Sequence, residues 1–389
     1  MPRSPVLLLT LAVAAVGCHD VESPTAPESR SPVQAVMAPA LSFRQIEGGG
    51  AHTCGVTTDH RAYCWGLNNF GQLGNASQTD ELRPVPVAGG LSFLQVSAGL
   101  RHTCGLTTDN RVYCWGQNGG RLGDGTSDPS PVPVATVGGL RFFQVTAGQK
   151  HTCAIALDHQ AYCWGRNVFG QLGTGGKESK VPVKVAGGLR FSQINAGYLH
   201  TCAVTTDSRG FCWGYNLFGA LGDGTTTTRR TPVAVVGGLR MIQVTGGFTH
   251  TCGLTAANRA WCWGDNHAGQ LGDGTTTDRS RPVRVSGDRR FALLRAGDLH
   301  TCGLTVVQRA LCWGGNDQGQ LGDGTTVPRR TPVAVSGGIE FGGMTAAQRF
   351  TCAITPAQRA YCWGWNASGQ LGDGSTANRS VPGPVAGPT

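Results

Sequence analysis

The chain lacks the features that would indicate an enzyme or a membrane-spanning protein. After residue 18, no apolar run is long enough to be a transmembrane helix. No Ser-His-Asp constellation, carboxylate pair or phosphate-cradling loop stands apart from the rest of the chain, although a catalytic site normally needs an asymmetric set of residues. Basic residues interleaved with exposed aromatics, which would indicate nucleic-acid binding, are not evident either. We therefore expect no catalytic residue, no cofactor and no nucleic-acid partner.

What the chain does have is a cysteine pair that recurs seven times. The two cysteines of each pair are ten positions apart, and the pairs repeat every 49 or 50 residues. A fixed period of this length indicates a repeat array or a propeller. The pairs are Cys54 and Cys64, Cys104 and Cys114, Cys153 and Cys163, Cys202 and Cys212, Cys252 and Cys262, Cys302 and Cys312, and Cys352 and Cys362.

Each cysteine pair lies in a predicted β-hairpin. Short β-prone runs around the two cysteines flank a turn, and a three-residue loop between Thr57 and Arg61 would place Cys54 opposite Cys64. Such a loop needs a left-handed residue at its third position. That position is occupied by His60, Asn110, His159, Ser208, Asn258, Gln308 and Gln358.

Opposed cysteines on neighbouring strands approach closely enough to form a disulfide, which is our prediction for all seven pairs. The alternatives are reduced cysteines, or metal sites that would combine residues such as His52, Cys54 and Cys64. The seventh repeat keeps both cysteines but has Phe350 in place of the histidine, which argues against metal. We expect the histidines to be structural, each hydrogen-bonded within its own repeat.

Each repeat contains four short predicted strands separated by glycine-rich turns, the pattern of a propeller blade. In the second repeat these lie at residues 91–96, 102–104, 113–116 and 131–134. Seven such units predict an all-β, seven-bladed β-propeller over residues 41–387. Two modes of closure remain open: residues 381–385 could complete the first blade as a latch, or each repeat could form a complete blade.

The repeats resemble those of the Regulator of Chromosome Condensation family. The similarity rests on Tyr113-Cys114-Trp115-Gly116 and its equivalents, and on runs such as Asn68 to Gly74, Asn266 to Gly272 and Asn316 to Gly322. The resemblance implies a seven-bladed propeller. The family's guanine-nucleotide exchange activity fits less well, because these near-constant repeats contain no insertion that could act on a GTPase.

The N-terminus has the pattern of an export signal. Residues 1–18 combine Arg3 with an apolar stretch and end in Ala15-Val16-Gly17-Cys18, which resembles the lipobox of bacterial lipoproteins. That resemblance implies that Cys18 becomes the lipidated first residue of the mature chain; ordinary signal cleavage is the alternative. Residues 19–40 are rich in proline and serine and are predicted to be a disordered linker. We expect display at the outer membrane or cell surface, or secretion.

Arginines after the Asp-Gly-Thr turns form a possible binding patch for an anionic partner. The alternative is a solvated face in which they bond to nearby aspartates. The set comprises Arg229, Arg230, Arg279, Arg281, Arg329, Arg330 and Arg379.

Other recurring residues have structural interpretations. The Asp-Gly turns lack enough oxygen ligands for calcium, and the recurring tryptophans are predicted to pack between blades. Trp261 and Trp365 depart from the repeat and are candidates for exposed contacts. Irregularities at 288–290 and 342–343 suggest an interface or the seam of the ring.

Together these observations predict a monomeric, non-catalytic binding scaffold without metal. It would bind another protein through one face of the ring and contact the membrane only through a lipid anchor. Binding of an envelope or extracellular polysaccharide is the alternative. Nucleotide exchange and action as a polysaccharide-degrading enzyme rank below both.

Overall fold

The computed structural model describes residues 41–388, which form seven four-stranded antiparallel sheets. The first strands of successive sheets contact one another around the ring, and the first strand of the chain contacts the first strand of the last sheet. The predicted seven-bladed β-propeller is therefore confirmed. Within residues 41–388 no helix is long and apolar enough to cross a membrane. The predicted signal peptide (1–18) and linker (19–40) lie outside the described residues.

Strands are numbered in chain order, four per blade, from the innermost to the outermost. Blades 1 to 4 comprise β1 Phe43–Gly48, β2 His52–Thr57, β3 Ala62–Gly66, β4 Glu81–Pro86; β5 Phe93–Ala98, β6 His102–Thr107, β7 Val112–Gly116, β8 Ser130–Ala135; β9 Phe142–Ala147, β10 His151–Ala156, β11 Ala161–Gly165, β12 Ser179–Lys184; β13 Phe191–Ala196, β14 His200–Thr205, β15 Gly210–Gly214, β16 Arg229–Ala234. Blades 5 to 7 comprise β17 Met241–Gly246, β18 His250–Thr255, β19 Ala260–Gly264, β20 Arg279–Arg284; β21 Phe291–Ala296, β22 His300–Thr305, β23 Ala310–Gly314, β24 Arg329–Ala334; β25 Gly343–Ala346, β26 Phe350–Ile354, β27 Ala360–Gly364, β28 Arg379–Pro384.

The second and third strands of each blade form a hairpin in the predicted register. Cys54 pairs with Cys64, and the N–H of Thr57 donates to the carbonyl of Arg61 at 2.9 Å. The third residue of the turn has a φ between 59° and 68° in every blade, as predicted: His60, Asn110, His159, Ser208, Asn258, Gln308 and Gln358. Non-glycine residues rarely adopt this conformation, so the turn itself imposes it.

All seven cysteine pairs form disulfides, so the reduced and metal-bound alternatives do not describe this structure. Paired Cα atoms are 4.0–4.1 Å apart, and the two cysteines of each pair stand directly opposite each other on neighbouring strands. No group of three or more His, Cys, Asp or Glu side chains within residues 41–388 is placed to hold a metal ion. The disulfides therefore join the second and third strands within each blade.

The recurring tryptophans pack between blades, as predicted, and all seven are fully buried. Trp65 is an example: its indole N–H donates to the carbonyl of Gln370, in the preceding blade around the ring, at 2.9 Å. Gly372 packs against the same indole with a φ of +70°, where a Cβ atom would lie 2.5 Å from Nε1. Only glycine satisfies both the backbone conformation and this close approach.

The histidines join blades as well, which corrects the expectation that each bonds within its own repeat. The Nε2 atom of each lies 2.8–3.0 Å from a threonine hydroxyl of the next blade. That hydroxyl donates in turn to a backbone carbonyl, as Thr103 does to Gln72 at 2.8 Å. Because a carbonyl only accepts, the histidine must be the donor. The pairs are His52–Thr103, His102–Thr152, His151–Thr201, His200–Thr251, His250–Thr301 and His300–Thr351.

Ring closure requires no latch, because the last strand, β28, pairs with β27 in its own blade. Blades 7 and 1 are joined by the same type of backbone bond as other neighbours: Phe43 N–H donates to the carbonyl of Gln358 at 2.9 Å. Phe350 is fully buried there and packs against Gly48, where a Cβ atom would approach its ring to 3.0 Å. At the interface between blades 7 and 1, apolar packing of Phe350 thus takes the place of the histidine–threonine hydrogen bond found at the other six interfaces.

Candidate binding faces of the ring

The connections between strands alternate between two faces of the ring, because successive strands run in opposite directions. We call one the loop face: it carries the first connection of each blade, such as residues 49–51, and the long third connection, such as 67–80. We call the other the hairpin face: it carries the β2–β3 turns, such as 58–61, and the links between blades, such as 87–92.

Four arginines of the predicted patch pair with aspartates of their own turns. The distances are 2.9 Å for Arg229–Asp223, 3.2 Å for Arg279–Asp273, 2.8 Å for Arg329–Asp323 and 2.7 Å for Arg379–Asp373. The arginines stand at or next to the first residue of the outermost strands, on the rim of four successive blades. Their charge is therefore offset locally, as the solvated-face alternative anticipated.

The other three patch arginines, Arg230, Arg281 and Arg330, form no ion pair with any residue between 41 and 388. Arg230 reaches the preceding blade, where its Nη2 lies 3.4 Å from the carbonyl of Val168. Binding of an anionic partner by this set stays a prediction.

The Asp-Gly-Thr turns are held by an internal hydrogen-bond network. The Oδ1 of Asn316 accepts from the N–H of Leu321 at 2.9 Å, and its Nδ2 donates to the carbonyl of Thr325 at 3.0 Å. Burial alone would raise the pKa of Asp323, but hydrogen bonds from Thr325 and Arg329 bring that pKa below its usual value. The side chain is thus engaged as a turn residue, as its sequence context predicted.

An aromatic and apolar patch lies on the loop face of blades 3 to 5, and sequence reasoning missed it. The rings of Phe169 and Tyr215 meet edge to face with centroids 5.0 Å apart, and those of Tyr198 and Phe248 do the same at 5.0 Å. At its edge, Leu217 is 59% exposed. We call these five residues, with Val168, the aromatic patch. It could have been found by comparing equivalent loop positions, where Gln149, Asp298 and Gln348 correspond to Tyr198.

The innermost part of the loop face, beside this patch, carries a half-buried acid, Asp298. Burial raises the pKa of Asp298 to about 6, with the charge of Arg349 acting in the opposite direction. Its N–H donates to the carbonyl of Ala347 at 3.2 Å, and the first loops of four other blades bond to the next blade in the same way. The backbone bonds here therefore recur, whereas the side chains differ between blades.

The inner strands are joined by a ladder of glutamines that stops in the last two blades. Gln45 donates to the carbonyl of Val96 and accepts from its N–H, both at 2.9 Å, and four further interfaces repeat this pair of bonds. Leu293 and Gly343 take the glutamine position in blades 6 and 7. Burial raises the pKa of nearby Glu47, and the charge of Arg295 opposes this. The sequence irregularity at 342–343 thus coincides with an interrupted ladder, and β25 begins only at Gly343.

The remaining irregular residues have local partners. Trp261 is half-buried and packs against the core between blades 4 and 5, so it is less exposed than its departure from the repeat suggested. Trp365 is also half-buried. Asp288, on the hairpin face, pairs with Arg259 and Arg284. None of these residues forms a site on its own.

Models of the Regulator of chromosome condensation (RCC1) repeat match the chain throughout its folded body. One matches residues 59–106, 109–155, 158–204, 207–254, 258–304, 309–354 and 359–389. A second form of the same repeat matches 43–72, 93–120, 144–171, 191–220 and 241–270. The matches cover well over half of the chain.

Solved structures share the fold at low sequence identity. Human WBSCR16 aligns with a TM-score of 0.77 at 19% identity, covering 84% of this chain and 94% of that one. Prp20p from Saccharomyces cerevisiae, described with its binding properties to Gsp1p and histones, aligns at 0.74 with 20% identity, covering 90% and 87%. The ectodomain of the Arabidopsis thaliana receptor kinase ACR4 aligns at 0.55 with 20% identity, covering 88% and 99%.

A short segment resembles a characterised plant protein. Over 43 residues the chain is 46% identical to the ultraviolet-B receptor UVR8 of Arabidopsis thaliana, which is 11% of this chain and 10% of that receptor. The match thus spans about a tenth of the relative's length, which is less than one repeat.

Proposed function

The chain belongs to the RCC1 repeat family, and from this premise we propose that it is a non-catalytic scaffold that binds another protein through the loop face of its ring. The observation that carries the proposal is the aromatic patch. Three adjacent blades bring two edge-to-face aromatic pairs, Phe169–Tyr215 and Tyr198–Phe248, together with the exposed Leu217 on one face of the ring. Tyrosine and other aromatic side chains are enriched at the centres of protein interfaces.

The relatives support this proposal by analogy. Prp20p is described by what it binds, Gsp1p and histones, and yeast RCC1 (Prp20) is described bound to Kap60. Those partners belong to those proteins, and the fold likeness alone does not transfer them. It does support the use of this architecture as a protein-binding platform.

Leu217→Asp should abolish partner capture while Val307→Asp leaves it intact. Leu217 is 59% exposed on the loop face and Val307 is 68% exposed on the hairpin face, so the two variants are matched in chemistry and exposure. An aspartate within a buried interface should weaken the binding free energy by about 2 kcal/mol or more, which corresponds to a loss of affinity of about 30-fold or more. The measurement is quantitative capture from an envelope extract by the wild type and both variants.

The capture experiment has two outcomes that would overturn the proposal. Equal capture by the wild type and Leu217→Asp would remove the loop face as the interface. If the ligand lost in Leu217→Asp is a carbohydrate, the function would be polysaccharide binding and not protein binding. A circular-dichroism melt of both variants would establish that each is folded.

We further propose that the protein is exported and anchored to the membrane through lipidated Cys18. Seven disulfides in one chain suit an oxidising compartment and not the cytosol. The receptor-kinase ectodomain of the same fold is consistent with an extracellular role for such a ring. The linker at 19–40 would then hold the ring away from the membrane surface.

The mass of the native protein extracted from membranes should include a diacylglyceryl modification at Cys18. Cys18→Ala should leave the protein unprocessed and without the lipid mass. A mature chain that is cleaved near residue 18 without lipid would contradict the anchor and support ordinary secretion. A chain that retains residues 1–18 in the cytoplasm would contradict export altogether.

A further inference from the structure

Within the long loop of blade 2, the run from Asn118 to Gly123 departs from its counterparts in the other six blades in length and in one residue. It reads Asn118-Gly119-Gly120-Arg121-Leu122-Gly123, one residue shorter than the run from Asn68 to Gly74 in blade 1. Arg121 occupies the position held by Ala220 in blade 4 and by glutamine elsewhere: Gln72, Gln171, Gln270, Gln320 and Gln370. Gly119 alone stands between Asn118 and Gly120, where blades 1, 3 and 4 have two residues, the second of them a phenylalanine.

The shortened loop borders a groove of about 760 Å³ on the loop face, between blades 1 and 3. This volume is within the range of pockets that hold small ligands. At one side the guanidinium of Arg101 lies over the ring of Phe70, 5.2 Å from its centroid. The groove is separate from the aromatic patch, so the proposed protein-binding function does not account for it.

Five cationic side chains line the groove against a single acid, Glu178. They are Arg101, Arg121, Lys150, Arg166 and Lys180. No ion pair within residues 41–388 includes any of the five. The rim arginines Arg229, Arg279, Arg329 and Arg379, in contrast, each have an aspartate partner. The groove therefore concentrates positive charge that the protein itself leaves uncompensated.

Arg121 is the central feature, because its side chain is only 7% exposed. Its Nη1 donates to the carbonyl of Asn118 at 2.7 Å, but its buried Nε has no hydrogen-bond partner among the described residues. Burial, together with the charges of Arg166 and Arg101, lowers the pKa of Arg121 to about 10. A buried cation among like charges is unfavourable unless an anion joins it.

We propose that this groove is a binding site for a ligand that carries two or more phosphate groups. The planar guanidinium of arginine matches the geometry of phosphate oxygens and binds them through paired hydrogen bonds. The other four cations, from blades 2 and 3, line the same groove as Arg121. A single monovalent anion would therefore neutralise only a small part of the positive charge. Two or more linked phosphates would match both the charge and the size of the groove.

The test uses the purified full chain with its disulfides intact, titrated calorimetrically with sodium tripolyphosphate at low salt. Arg121→Gln restores the residue of five other blades, and the backbone carbonyl at this position, which accepts from Thr152 and Trp164, is retained. We expect Arg121→Gln to weaken tripolyphosphate binding at least tenfold. Arg330→Gln, which removes the same charge from an unpaired arginine on the rim, should change it less than twofold.

Comparison probes make the result specific. Citrate, a carboxylate anion of similar charge, should bind at least tenfold more weakly than tripolyphosphate. Equal affinity for citrate, equal losses in the two variants, or no binding of tripolyphosphate would each overturn the proposal. Melting curves of both variants would show whether a loss of binding reflects a loss of fold.

Two sources of linked phosphates are distinguished by vesicles that contain diphosphatidylglycerol. If the chain sediments with these vesicles, and this binding is displaced by tripolyphosphate and lost in Arg121→Gln, the source is a lipid headgroup. Binding of tripolyphosphate without vesicle binding would identify a soluble oligophosphate. Binding to vesicles that Arg121→Gln leaves unchanged would contradict a role for the groove at a membrane.

Discussion

Acidification from pH 7 to pH 4 should unfold the propeller cooperatively, because six buried histidines would have to accept protons. They are His52, His102, His151, His200, His250 and His300, each at most 1% exposed. Burial lowers the pKa of four of them, His52, His151, His200 and His300, to about 3, and that of His250 to about 4. Burial also brings the pKa of His102 well below its usual value.

The sign of the effect follows from where protons bind. Between about pH 6.5 and the depressed values, the unfolded chain takes up protons at these histidines and the folded chain does not. Their contribution to the free energy of unfolding is therefore complete above pH 6.5 and falls as the pH falls. The slope is about 1.4 kcal/mol per pH unit for each histidine, or about 8 kcal/mol for six. A typical domain has about 5–15 kcal/mol in total.

Carboxyl groups modify this slope without reversing it. Burial raises the pKa of Asp298 to about 6 and also raises that of Glu47, so each of these two groups stabilises the fold as the pH falls. The aspartates of the Asp-Gly-Thr turns, such as Asp323, have a lowered pKa and lose their stabilising contribution below about pH 4. Six histidines outweigh two carboxyls, so unfolding should begin above pH 4.

Thermal or denaturant unfolding at intervals between pH 8 and pH 4 would measure the slope. His200→Phe should lower the slope by the contribution of one histidine, about 1.4 kcal/mol per pH unit. The variant should fold, because blade 7 already has Phe350 at this position. The neighbouring residue also favours the replacement: Gly246 beside His200 corresponds to Gly48 beside Phe350. His60→Asn, which installs the turn residue of blade 2, is the control. Stability that is independent of pH from 7 to 4 would show this account to be wrong.

Reduction of the seven disulfides should leave the chain unfolded at 25 °C. Each disulfide joins cysteines ten positions apart, and closing so short a loop stabilises the fold by about 2–3 kcal/mol in the chain-entropy model. Seven together amount to about 15–20 kcal/mol, which equals or exceeds the stability of a typical domain. Removing one pair, as in Cys302→Ala with Cys312→Ala, should cost about 3 kcal/mol or somewhat more.

The same disulfides should resist reductant in the folded protein, because all fourteen cysteines have no exposed surface. The measurement is a count of alkylated thiols by mass after treatment with reductant, with and without denaturant, followed by circular dichroism of the reduced chain. We expect almost no labelling without denaturant and fourteen labelled thiols with it. A fully reduced chain that refolds to the original stability would contradict the prediction.

The sequence alone determined the number of blades, the strand register and the cysteine pairing. These follow from a fixed period and from local backbone geometry: a three-residue turn places Cys54 opposite Cys64 and forces His60 into a left-handed conformation. The packing of the tryptophans followed from their recurrence at a strand position. The register and the cysteine pairing concern residues within one repeat, where spacing along the chain closely constrains distance in space.

Only the tertiary structure decided which side chains from different blades meet. The bond from His52 to Thr103, closure without a latch and the aromatic patch all depend on how one sheet packs against the next. The groove around Arg121 had a visible signal in the sequence, a missing residue and a missing glutamine. Its charge cluster was not visible, because residues 50 positions apart become neighbours only after the blades close into a ring.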